Sequence, residues 1–143
     1  MSSLDRINIS VIDTEDNDNT PGPNVLAILH EIDAMLGRLL DSGENGAIDI
    51  RSLPLMPGDY DALNVALGDG EVVAEIDGGT GPTVISETGI SGVWWVSHYG
   101  DKDDLMAEFI EITRIPELLI SHPDDIEDSR EELRMRLAGE SGH

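Results

Sequence analysis

With 143 residues, 39% of them hydrophobic and only 3% aromatic, the chain is long enough for one core and must build it mainly from Leu, Ile and Val. Thirty Asp and Glu against eight Lys and Arg give a formal net charge of -22, a field that repels phosphate backbones and anionic lipid and so argues against nucleic-acid or membrane-surface partners. Cysteine is absent, which excludes a disulfide, a thiolate zinc site, iron–sulfur ligation or a cysteine nucleophile within the chain. The opening Met1-Ser2-Ser3-Leu4-Asp5-Arg6 lacks the pattern of a signal peptide, and no apolar run approaches ~18 residues, so a soluble, cytoplasmic protein is expected.

Taken in order, Ile7, Ile9 and Val11 alternate with polar residues and suit a short edge strand, and the apolar-free run from Asp13 to Pro23 reads as a linker. Residues 1–23 thus form an N-terminal arm, residues 24–138 one α+β domain, and residues 139–143 a fraying tail. Asn24–Ser42 is the clearest helix: Val25, Ile28, Leu29, Ile32, Met35, Leu36, Leu39 and Leu40 make a broad apolar stripe, Pro23 or Asn24 starts it and Gly43 ends it. His30, Glu31, Asp33 and Arg38 fall on its outer face. Ala47–Leu53 alternates as a strand that directs Ile48 and Ile50 to the core, and Asp59 suits the N-cap of a helix ending at Leu67. Strands are expected at Glu71–Ile76 and Thr83–Thr88 around the Gly78–Pro82 reversal, with a further one over Leu105–Ile115, for which a helix through Asp103–Ile110 is the alternative. A turn at Glu117–Ile120 leads to a last helix from Pro123 to about Ala138, supported by Glu132 and Arg136 at i,i+4; its stripe of Ile126, Leu133 and Leu137 is thin and suits the surface. Consecutive strands with short reversals give an α+β fold, a mainly antiparallel sheet of four to five strands carrying a long N-terminal, a short and a C-terminal helix.

The organising strand lies within Gly89–Tyr99, which holds both tryptophans. Alternation puts Trp94, Val96 and His98 on one face and Val93, Trp95, Ser97 and Tyr99 on the other, so neither face simply meets water. Trp94, Trp95, His98 and Tyr99 are the candidate partner-binding residues, because Trp and Tyr are over-represented at interfaces; burial of both tryptophans in the core is the competing reading.

Catalytic signatures are missing. Gly78-Gly79-Thr80-Gly81 precedes Pro82 and a strand rather than Lys-Ser/Thr and a helix, so it is a turn and no phosphate cradle. Asp16, Asp18 and Thr20, and likewise Asp101 and Asp103, lack the glycine and glutamate that complete a calcium loop. No serine sits in a nucleophile elbow, and carboxylates are too abundant for an acid–base pair to stand out by spacing. The chain reads as a binding module with no cofactor, and not as an enzyme. A metal carrier or sensor that uses His30, His98 and carboxylates is the alternative.

Leu29-His30-Glu31-Ile32, Ile48–Leu55, Leu67-Gly68-Asp69-Gly70-Glu71-Val72, Glu87–Val96 and Glu108–Glu117, in that order, resemble the HupH family of hydrogenase expression/formation proteins, which includes HyaF and HoxQ. The resemblance covers roughly residues 24–138 and is carried most specifically by the Leu-Gly-x-Gly-Glu-Val and Gly-Val-Trp segments. It implies a cytoplasmic, non-enzymatic accessory protein or chaperone of [NiFe] hydrogenase maturation. The implied partners are a hydrogenase subunit precursor, the small subunit favoured, and other maturation proteins. It supplies no catalytic residue. Family members look like two related copies in tandem, whereas a single copy is found here, which raises the expectation that two chains associate as a homodimer.

Overall fold

The computed structural model describes residues 21–141, so the strand expected over Ile7–Val11 lies outside the described residues. Helix α1 spans Pro23–Ser42, with Pro23 in its first turn and Gly43 at φ 76° after its end, where the Gly43 N–H donates to the Leu39 carbonyl. That left-handed closure is open to glycine at no steric cost. Val25, Ile28, Ile32 and Met35 are buried, and His30, Glu31, Asp33 and Arg38 face outward as the periodicity predicts. The stripe is narrower than expected on one side, since Leu40 is 86% exposed.

Strand β1 is only Gly46–Asp49, shorter than the expected Ala47–Leu53. Asp49 Oδ1 accepts from the Arg51 N–H at 3.1 Å, and this local turn bends the chain into one 3-10 turn at Ile50–Ser52. Ile50 still reaches the core, at 3% exposure, although it leaves the ladder. Helix α2 runs Asp59–Leu67 as expected, but Gly58 occupies its N-cap. The Asp59 carboxylate instead accepts from the Met56 N–H at 2.8 Å and from Asn24 Nδ2 at 3.1 Å, which ties the start of α2 to the start of α1.

Strands β2 (Val73–Gly78), β3 (Gly81–Glu87), β4 (Val93–Tyr99) and β5 (Leu105–Ile112) follow. The strand reading of Leu105 onward therefore holds over its helical alternative. β2 begins two residues later than predicted, because Gly70 and Val72 are engaged with Glu87: the Gly70 N–H donates to the Glu87 carbonyl and the Glu87 N–H to the Val72 carbonyl, both at 2.8 Å. A 3-10 turn at Glu117–Leu119 leads into helix α3, Pro123–Ser141, which continues beyond the predicted end at Ala138.

The five strands form one antiparallel sheet in the order β1-β5-β4-β3-β2, so the class is α+β and β4 is the central strand. Helices α1 and α2 cover one face, where Val93, Trp95, Ile110 and Ile112 pack under Val25, Ile28, Ile32, Leu63 and Leu67. α3 lies at the surface to the point that every side chain from 123 to 140 is exposed. The segments Leu67–Val72 and Glu87–Val96 meet backbone to backbone: the Gly89 N–H donates to the Leu67 carbonyl at 2.9 Å, and a Cβ on Gly70 would lie 2.5 Å from the Thr88 carbonyl oxygen. A side chain there has no room, which accounts for glycine at that position.

Candidate functional site: the helix-free face of the sheet

The β4 register sorts the aromatic strand into two environments. Val96 opposes Ile85 on β3 and Phe109 on β5, and His98 opposes Thr83 and Ala107, so Trp94, Val96 and His98 share a face with Thr83, Ile85, Ala107, Phe109 and Glu111. No helix lies there among the described residues; Ile85, Trp94 and Val96 form a second, smaller core, flanked by Ala74, Ile76 and Leu119. Leu119 sits in the 3-10 turn that precedes α3 and, among the described residues, is the one hydrophobic from outside the sheet packed on this cluster.

Trp94 is 7% exposed, its indole N–H donating to the Thr113 carbonyl at 3.2 Å. Its ring forms the floor of the face. His98 is half-buried, with Nδ1 at 2.8 Å from the Thr83 hydroxyl and its ring edge-on to Phe109 at 5.9 Å between centroids. Burial pushes the Glu111 carboxyl above the usual carboxylate range; His98 opposes that shift and Glu117 adds to it. The outer surface is thus an apolar patch of Ile76, Ala107 and Phe109, interrupted by His98 and bordered by Glu87, Glu111 and Glu117.

Trp95 and Tyr99 take the opposite side, with the helices. Trp95 is 8% exposed, and its indole N–H donates to Glu108 Oε2 at 2.6 Å. The same oxygen accepts from the Tyr60 hydroxyl at 2.7 Å and from the Ser97 hydroxyl at 2.9 Å, while Tyr60 on α2 meets Trp95 edge-on at 5.5 Å. Burial, then the hydrogen bond to Glu108 and its charge, push the Tyr60 phenol far above its ordinary value; Tyr99 adds to the shift and the neighbouring Trp95 opposes it. Glu108 is 3% exposed and its Oε1 has no partner among the described residues. This cluster pins α2 to the sheet through one carboxylate oxygen.

The four residues singled out from sequence therefore divide two and two: Trp94 and His98 on the helix-free face, Trp95 and Tyr99 on the helix side. Sequence reasoning missed Thr83, Ile85, Phe109 and Glu111, which only the cross-strand register brings beside them, although alternation along β5 already separates Phe109 and Glu111 from Glu108 and Ile110. His30 points outward from α1 and His98 lies across the sheet from that helix, so the two histidines share no site. Among the described residues, no three His, Asp or Glu side chains gather as a metal-binding group. No helix among them is long and apolar enough to cross a membrane.

The family model for the HupH hydrogenase expression protein, C-terminal conserved region, matches residues 23–139. The hydrogenase expression/formation protein HoxQ of Azotobacter vinelandii is 34% identical over 88 residues, 62% of this chain and 31% of that protein. The hydrogenase expression/formation protein HupH of Rhizobium leguminosarum bv. viciae is 32% identical over 111 residues, 78% of this chain and 39% of that protein. The chain thus spans between three and four tenths of the length of these curated relatives. The solved structure of hydrogenase expression protein HupH from Thiobacillus denitrificans superposes with a TM-score of 0.75 at 37% identity, covering 84% of this chain and 99% of that one. The glycine contacts between Leu67–Val72 and Glu87–Val96, the central aromatic strand and the helix-free face all lie within the matched region, and the chain belongs to the HupH hydrogenase expression protein family, of which it carries the C-terminal conserved region.

Proposed function

We propose that this protein is a non-enzymatic chaperone of [NiFe] hydrogenase maturation that holds a hydrogenase subunit precursor, the small subunit favoured, on the helix-free face of its sheet. The family places it among hydrogenase expression/formation proteins, a role in hydrogenase maturation. One observation carries the rest of the reading: a five-stranded sheet with helices on one face leaves Ile76, Ala107, Phe109 and His98 as a patch over Trp94, and among the described residues Leu119 is the one hydrophobic packed on that cluster from outside the sheet. A patch of this kind, bordered by Glu87, Glu111 and Glu117, suits an apolar segment flanked by Lys or Arg. The net charge of -22 keeps the chaperone soluble while such a segment is held.

The test is a tagged pull-down from cells maturing a [NiFe] hydrogenase, with retained proteins identified by mass spectrometry. The expected result is recovery of a subunit precursor, reduced at least about tenfold by Ala107→Glu or Ile76→Asp, changes that put charge on the patch while Ile85, Trp94 and Val96 stay in place, and by Trp94→Ala. Asp33→Asn, on the outer face of α1, leaves recovery unchanged. Recovery that survives both patch substitutions overturns the site, and a folded, abundant protein that retains no hydrogenase component overturns the chaperone reading itself.

A further inference from the structure

Helix α3 has nineteen residues, and no side chain from 123 to 140 is buried. Local terms help it form: Pro123 at its start, Asp124 and Asp125 in the first turn, and an Arg136–Glu132 ion pair at 3.4 Å. They leave Ile126, Leu133 and Leu137 at 55, 54 and 57% exposure. These three, with Arg130 between them, follow a 4-3-4 spacing and so lie along one line of the helix. The line extends about 16 Å from Ile126 to Leu137.

Charge along the helix is sorted as well. Residues 124–132 carry six carboxylates and one arginine, Arg130, whereas the rest of the helix carries Arg134 and Arg136 and one carboxylate, Glu140. In a chain with eight Lys and Arg, three of them stand on this helix. A parallel partner of the same sequence would stack acidic turns on acidic turns. An antiparallel one sets the acidic first turns, Asp124 to Asp128, beside Arg134 and Arg136 of the other, while Glu131 and Glu132 lie near the two-fold axis on the side of the helix away from the apolar line. With Ile126 opposite Leu137, the aliphatic stem of Arg130 covers Leu133 and Glu127 comes beside Arg134 of the second copy.

We infer that α3 is a self-association helix, which pairs antiparallel with α3 of a second copy of this chain about a two-fold axis near residues 131 and 132. The occupant is a second copy because the apolar line and the complementary charge pattern are both supplied by α3 itself. This goes beyond the proposed chaperone site: none of that patch's residues lies on α3, and the inference rests on α3's own sequence and exposure. A single helix pair buries less than a standard interface, so the dimer is a weak one that forms with rising concentration.

The experiment uses the full chain, whose lack of cysteine makes disulfide trapping clean. Under mild oxidation, the double substitution Ile126→Cys/Leu137→Cys gives a covalent dimer, while either single substitution gives at least about tenfold less, because identical positions stand ~16 Å apart in the antiparallel pair. Sedimentation of the parent chain from roughly 1 μM to 1 mM shows association, which Leu133→Asp abolishes. Arg134→Glu weakens it about tenfold, and Glu127→Arg added to Arg134→Glu restores it. These positions are exposed, so folding is not at stake. A monomer across the whole concentration range overturns the inference. So does efficient trapping by Ile126→Cys alone, which means parallel helices, or a dimer indifferent to Leu133→Asp, which means another face.

Discussion

Glu108 and Glu111 stand three residues apart on β5 and point to opposite faces of the sheet. On the helix side, Glu108 is 3% exposed and accepts three hydrogen bonds on Oε2, from an indole, a phenol and a serine. On the other, Glu111 is half-buried beside Trp94, His98 and Glu117, and no hydrogen bond holds it among the described residues. The same residue type serves two purposes. One carboxylate is a structural tie whose desolvation is offset by donors fixed on two elements; the other is left poised at the margin of an open apolar surface. Among the described residues, the helix-covered face leaves one buried polar atom, Glu108 Oε1, without a partner, whereas on the helix-free face a half-buried carboxylate, Glu111, makes no hydrogen bond.

Removing the tie has the largest expected effect. Glu108→Ala strands three donors at once and opens a cavity, so unfolding stability falls by about 3 kcal/mol or more, read from the denaturant midpoint. Glu108→Gln keeps the volume and one acceptor and costs about half as much. Tyr60→Phe removes a single bond to the same oxygen while leaving the edge-on contact with Trp95, and its expected cost is about 1–2 kcal/mol. It also deletes a phenol whose ionisation is delayed by burial and by Glu108: in an ultraviolet alkaline titration of the folded protein, the late-titrating step disappears. Because that folded-state value is raised, the parent protein loses stability as pH climbs above the ordinary tyrosine range, and the Tyr60→Phe variant loses less. None of the three substitutions should reduce precursor retention per folded molecule, since they act on the far side of the sheet. A selective loss of retention in Tyr60→Phe would erase the distinction between the faces.

Much of this division was legible in the chain. Alternation alone puts Trp94 and His98 opposite Trp95 and Tyr99, and the bounds of β4 and α2 follow from glycines and β-branched residues at their edges. The early stop of β1 was not legible, because it rests on one Asp49 side chain capturing the Arg51 N–H instead of leaving the backbone extended. Nor was the identity of Glu108 as the tie. Among thirty carboxylates nothing in local spacing distinguishes it, and its three donors come from α2, β4 and β4 again, brought together by register and helix packing. The thin stripe of α3 pointed to the surface, but three aliphatic residues do not by themselves say that the helix would remain wholly exposed.

The smallest expected effect sharpens the comparison most. Burial holds the Glu111 carboxyl above its unfolded-state value, so the folded protein binds more protons than the unfolded one between those two values. Stability on this account is greatest below the unfolded carboxylate value and declines as pH rises through the folded one. Glu111→Gln removes the charge and with it that decline. At neutral pH the variant is expected to be more stable than the parent by only a few tenths of a kcal/mol, because solvent reaches the group and screens it, and the two proteins converge in mild acid. The gain in stability should come with weaker retention of a basic precursor segment, since the carboxylate that burdens the free fold is the one available to a partner's Lys or Arg. Measuring urea midpoints and retention on the same preparations tests both halves. A variant that is less stable than the parent at neutral pH, or more stable with undiminished retention, would mean that Glu111 is an ordinary member of the surface rather than part of its binding margin.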